Sequence, residues 1–258
     1  MIPFLKTRYL KKVVFWTLAP MLFAVGCKPA GQLNMSSLRG RVPSASTIAA
    51  QFATMGQTAM RNRNGALAVA MAERAVSAQP GIVRYRSQLG QSYLLAGRFA
   101  SAIQAFRGVV ATAPSDGRTL LSMALAQAAF GQEAAARSSL MAADGLIGVP
   151  DLGLARALIG DSDGAIELLE PVARAPDAVP RTRQNLALAY ALAGQWDKAR
   201  AIAGQDLSAD QLSARMLAWA SLAKPQPARS RVSAFIGVTP AVIDPGMPVQ
   251  LALSTQPF

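Results

Sequence analysis

The sequence predicts an all-α chain of about five helix–turn–helix hairpins stacked in series and closed at the C-terminal end by one further helix. Three observations carry that expectation. Gln184–Ala203, QNLALAYALAGQWDKARAIA, is two apolar helical stretches broken at Gly194, a hairpin that cannot bury its own faces and needs neighbours of its kind. Small residues recur in two columns: Gly56, Gly90, Ala124, Gly153 and Ala187, and Ala68, Ala102, Ala136, Ala165 and Ala199. Both columns step by 34, 34, 29 and 34 residues. The composition is 52% hydrophobic, 16% charged and only 6% aromatic, too apolar for disorder and better suited to close-packed helices than to a β-sandwich.

Taken in chain order, residues 1–26 begin with basic residues through Lys12, continue in the apolar run Val13–Val25, and end on the small residues Ala24 and Gly26. The run holds 13 residues with Pro20 inside, against the roughly 20 needed to span a bilayer, so it reads as an export signal. Ala24-Val25-Gly26-Cys27 resembles the bacterial lipobox, with Ala24 where Leu is commonest. The resemblance implies that Cys27 becomes the acylated first residue of the mature chain, and Lys28 resembles lipoproteins sorted to the outer membrane. The alternative is an ordinary small-x-small cleavage site that leaves a soluble periplasmic protein. Cys27 is the sole cysteine, and an odd free thiol is a liability in an oxidising compartment. Residues 27–46 contain Pro, Gly and Ser without helical periodicity and are expected to form a flexible tether.

The repeats occupy 47–223. Leu89-Gly90-x-x-Tyr93, Ala102-x-x-x-Phe106 and Pro114 reproduce the tetratricopeptide (TPR) signature from its Leu onward, with Arg86 in place of the initial aromatic and Tyr85 beside it. The small columns stand where two helices of a hairpin cross, and a large side chain there would force them apart. Gly97, Gly131, Gly160 and Gly194 fall where the first helices stop, the place for a left-handed cap. Pro80 and Pro114 close the first two second helices. The fourth repeat is five residues short, squeezed between Pro150 and Gly160, and is expected to be the least regular. Ser208-Ala-Asp-Gln211 is a capping box opening a helix over about 209–223, whose Trp219 is expected to cover the end of the stack. Six prolines from Pro225 to Pro257 predict that 224–258 is a mostly extended tail, with Val249–Leu253 alternating enough for one lone strand.

Catalysis needs convergent titratable groups, and the chain has no His, which removes Ser-His-Asp and Cys-His arrangements and Cys/His zinc sites. Asp161-Ser-Asp163 lacks the ligand pattern of a calcium loop and reads as an acidic turn before a helix. No Gly-rich phosphate loop occurs, so no catalytic residue, cofactor or metal is expected. The net charge is +12, of which four units belong to residues 1–26. The basic residues form no run and no interleaving with aromatics, and nucleic acid is not an expected partner. Recognition remains. Arg84, Arg118 and Arg181 share the second position of three repeats, and Gln57 and Gln91 the ninth position of two. These form a candidate groove for acidic side chains or a peptide carboxylate; the competing reading is that the arginines are simply solvated.

The whole arrangement resembles the TPR lipoproteins encoded with Flp/Tad pilus-assembly systems, the TadD-like proteins, most specifically over Arg183–Gly194 and Asp206–Asp210. That resemblance implies a non-enzymatic scaffold, lipid-anchored at the periplasmic face of the outer membrane, whose partners are proteins of a pilus or secretin assembly complex. It does not extend past about Ser230. The alternative is an envelope TPR protein tied to peptidoglycan or cell division, motivated by the Pro-rich tail.

Overall fold

The computed structural model describes residues 44–252; the expected export signal, Cys27 and the expected tether up to residue 43 lie outside the described residues. Five hairpins follow one another: α1 (Ala45–Arg61) with α2 (Gly65–Ala78), α3 (Val83–Leu95) with α4 (Phe99–Thr112), α5 (Gly117–Phe130) with α6 (Glu133–Ala143), α7 (Val149–Leu158) with α8 (Ser162–Ala173), and α9 (Pro180–Leu192) with α10 (Trp196–Ala203). Then come α11 (Ala209–Ala223) and α12 (Ala228–Ile236). The first helix starts at Ala45, two residues ahead of the expected Thr47, because Ser44 caps it: the Thr47 amide donates to Ser44 Oγ at 3.2 Å.

Each first helix packs on its own second helix and on the second helix before it. The first helices also touch one another along the stack, whereas among the described residues no two second helices make an extensive contact. The first helices therefore make the inner layer and the second helices the outer one. All ten small-column residues are buried. A Cβ added at Gly90 would lie 2.6 Å from Phe106 Cδ1, and one at Gly153 would lie 2.5 Å from Leu169 Cγ, so at these two crossings only glycine leaves room for the facing side chain.

The four turn glycines have φ of +73° (Gly97), +94° (Gly131), +99° (Gly160) and +76° (Gly194). In the first hairpin the equivalent residue is Arg63, one repeat before Gly97, with φ +53°. A side chain in this region costs about 1 kcal/mol, and here the side chain is used. Arg63 Nη2 donates to the carbonyls of Ile236 and Gly237 at 3.2 and 2.7 Å.

Those carbonyls belong to the segment expected to be an extended tail, and the structure corrects that expectation. Pro225 and Pro227 precede a helix, α12, which seats on α5 and α7. Its Val232 is fully buried with Phe99, Leu158 and Ile159. Beside the shortened fourth repeat, α6 and α7 meet much less extensively than the other repeat junctions, and α12 bridges the first helices on either side of that junction, α5 and α7. From Gly237 the chain runs back along the row of hairpin turns as a strap. Ala241 N donates to Gly97 O at 3.0 Å. Val249–Leu251 is a 3₁₀ turn and not a strand, since no strand among the described residues offers it a ladder, and Leu251 is buried in the core of the first repeats. At the other end α11 begins with a formed capping box at Ser208 and Gln211, and Trp219, 4% exposed, closes the core around α9 and α10.

Candidate functional site: the inner groove and its strap

The inner layer opens into a groove of about 600 Å³ between α1, α3 and the start of α5. Two stripes line it. Ala50, Ala53, Thr54 and Gln57 come from α1; Arg84, Ser87, Gln88 and Gln91 come from α3. The second stripe is the first displaced by one 34-residue repeat, and the spacing within each, i, i+3, i+4 and i+7, is one face of a helix. Gln88 crosses between the repeats, its Nε2 donating to Ala53 O at 2.8 Å. It passes over Gly56, where a Cβ would stand 2.6 Å from that nitrogen.

Of the five candidate residues, the structure brings Gln57, Arg84 and Gln91 into this groove and leaves Arg118 and Arg181 outside it. The side-chain amides of Gln57 and Gln91 have no partner among the described residues and face solvent. Arg84 stacks 4.8 Å over the Tyr85 ring and donates to its hydroxyl at 3.0 Å. Arg118 is exposed at the start of α5. Arg181 is consumed in an ion pair with Asp151 of the preceding repeat. Thr54, Ser87 and Gln88 were not among the candidates, because matching identical residues at one position misses a face whose residues differ between repeats. The signal was the helical face itself. In α5 and α7 the same face is mixed, with Leu121, Leu125 and Leu154 half-buried on it beside Arg118, Ser122 and Asp151.

Outside the groove, polar groups tie repeat to repeat and strap to stack. Tyr93 donates to Glu73 Oε1 at 2.7 Å and, three repeats later at the same 20-residue separation, Tyr190 donates to Glu170 Oε1 at 2.8 Å. Burial and the Glu73 carboxylate push the Tyr93 phenol well above its usual value; burial and Glu170 push Tyr190 up to about 12. Both are donors, not bases. Arg98 lies 4.5 Å over the Tyr93 ring and 3.5 Å from Asp244, and donates to Gly246 O at 2.9 Å. Asp244 accepts from the Ser101 amide at 3.1 Å and from the Ser101 hydroxyl. Burial alone would raise the Asp244 carboxyl, but the Ser101 and Gly246 hydrogen bonds and the Arg98 charge outweigh it and hold it below the usual value.

Arg86, the departure from the repeat signature, is 2% exposed and donates to Leu251 O at 2.6 Å and Pro80 O at 3.3 Å. A guanidinium stands in place of the aromatic and gives the buried Leu251 carbonyl the donor it needs. Among the described residues no three His, Cys, Asp or Glu side chains converge as metal ligands would.

Residues 54–117 match the tetratricopeptide repeat family model. The fold is a TPR-like solenoid. Solved structures similar to the chain include a crystal structure of MamA protein, at 21% identity over 67% of this chain and 92% of that one with a TM-score of 0.46. A second crystal structure of MamA is 22% identical over 65% of this chain and 97% of that one, with a TM-score of 0.45. No curated protein matches the chain.

Proposed function

We propose that the chain is a non-enzymatic scaffold that holds an extended segment of a protein partner in the inner groove. The observation that carries this is the repeated face of α1 and α3. Gln57 and Gln91 offer a donor and an acceptor each at one-repeat spacing, which suits the backbone amides of an extended peptide. Arg84 stands beside them for an acidic side chain, and the equivalent face of the next two first helices carries half-buried Leu121, Leu125 and Leu154 among polar residues. A small-molecule site would instead be enclosed and mostly apolar.

The finer reading follows the family resemblance: a lipoprotein anchored through Cys27 at the periplasmic face of the outer membrane, acting in Flp/Tad-type pilus or secretin assembly. The peptidoglycan or cell-division alternative rested on the Pro-rich stretch serving as a linker. Up to Ala252 that stretch packs against the repeats, which removes its motivation.

A photo-crosslinking amino acid at Gln91 in growing cells should trap a protein partner, and one at Met141, exposed on α6 away from the groove, should not. Equal trapping at both sites overturns the groove. Deletion of the gene should abolish surface pili or secretin multimers, and normal piliation overturns the pilus role. Labelled palmitate should enter the wild type but not Cys27→Ser; equal labelling overturns the anchor.

A further inference from the structure

Charge is divided unevenly along the stack. Between residues 44 and 131 there are eight arginines and two carboxylates. Both carboxylates are engaged, Glu73 with Tyr93 and Asp116 as the cap that accepts from the Thr119 amide. Between 132 and 227, nine basic residues meet eleven acidic ones. The first two repeats and α5 are the basic end, and the strap lies across it.

Along the strap, Ala241, Asp244, Gly246, Met247 and Leu251 make the inward contacts, to Gly97, Ser101, Arg98, Gln104 and Arg86. Val242 is fully exposed, Ile243 is 78% exposed and Val249 is 87% exposed. Pro240 and Pro245 bracket the Val242–Ile243 pair and hydrogen bonds pin both of its flanks, so two aliphatic side chains are held out in water on a braced backbone. Exposed Arg107 has no partner among the described residues and, with Met247 and Val249, lines a cavity of about 480 Å³ beside the strap. Arg63 grips the other end of the strap.

We propose that this basic, strap-bearing end docks on an anionic phospholipid surface, with Val242 and Ile243 entering the boundary between headgroups and acyl chains and the exposed Arg63 and Arg107 beside the strap lying among the phosphates. Interfacial contacts are built this way, from apolar tips that insert and basic side chains that pair with anionic lipid. An acidic protein or a nucleic acid would account for the arginines but not for aliphatic side chains braced away from the fold. A second copy would account for the aliphatics, but two basic ends repel. The contact is independent of acylation at Cys27, and would turn the strap side of the stack toward the bilayer.

The test uses the full chain carrying Cys27→Ser, so that an introduced cysteine is the only thiol. A nitroxide is placed at Val242→Cys or, as control, at Met141→Cys on α6, 78% exposed in the charge-balanced stretch. On vesicles of phosphatidylethanolamine and phosphatidylglycerol, the label at 242 should gain collisions with oxygen and lose collisions with a water-soluble nickel chelate, while the label at 141 stays aqueous. Arg107→Gln should weaken partitioning onto these vesicles roughly fivefold with the melting temperature unchanged. Three outcomes overturn the proposal: a label at 242 as water-accessible on vesicles as in solution, equal immersion on phosphatidylcholine alone, or concentration-dependent broadening of the 242 spectrum without lipid, which would seat a second copy there.

Discussion

At the residue scale, the positions that matter most are those where one atom more or less cannot be absorbed. Gly90 faces the Phe106 ring with no room for a methyl group. Gly90→Ala is expected to cost about 1–3 kcal/mol, lowering the melting temperature by about 2–4 °C per kcal/mol in a domain of this size. Combined with Phe106→Ala it should cost less than the sum of the two single changes, since the second removes the clash; strict additivity in urea melts would argue that the crossing is looser than described. Tyr93 is a different kind of constraint. Tyr93→Phe leaves the packing intact but strands the half-buried Glu73 carboxylate without its donor, and a loss of about 1–2 kcal/mol is expected in the same measurement. No change would mean that Arg98, 3.9 Å from Glu73, satisfies it alone. Arg86 shows how a departure from a repeat pattern can be informative: the signature says an aromatic belongs there, and the guanidinium marks a contact with the strap at Leu251.

At the element scale, one of the holds on the strap is a carboxylate, and so it titrates. Asp244 has its carboxyl held below the ordinary value near 3.9, so ionised Asp244 favours the docked strap. That contribution is complete above the ordinary carboxylate range and is lost as pH falls below about 4 and through the depressed value. A nitroxide at Ile243 should therefore be immobile at neutral pH and become mobile in acid below about pH 4. In Asp244→Asn it should be mobile at every pH. Mobility that does not respond to pH in the parent would show that Arg63 and Arg86 suffice. The same element explains why it was misread. Its prolines rule out one long helix, correctly, but a nine-residue helix fits between Pro227 and Gly237, and what stabilises the rest is the row of turns it crosses, invisible to local patterning. Arg63 at φ +53° and Arg86 are the two places where the repeats had departed from their own rule to receive it.

At the scale of the whole molecule, the five-residue contraction of the fourth repeat coincides with a thin seam between α6 and α7, and α12 bridges the two sets of hairpins through α5 and α7. Truncation before Ala228 should expose the seat of Val232 among Phe99, Leu158 and Ile159. Urea unfolding is then expected to split from one transition into two, the N-terminal hairpins separating from α7–α11. A single unshifted transition would show that α12 is dispensable. Charge divides one helix earlier, between α5 and α6, with the first two hairpins and α5 basic and the rest balanced, which places the amide-lined part of the groove and the strap on the same half.

The sequence by itself determined the helical hairpins, their period, the glycine turns and the capping helix, because these rest on spacing and on residue size, properties that each repeat states locally and then states again. It marked Gln57, Arg84 and Gln91 for the same reason, since they recur at one period. Only the tertiary structure decided that Arg181 spends its charge on Asp151, that Thr54, Ser87 and Gln88 complete the groove, and that residues 228–252 turn back over the hairpin turns. Each of these depends on a contact between residues distant in the chain, made once and repeated nowhere, and no local pattern records a contact that occurs only once.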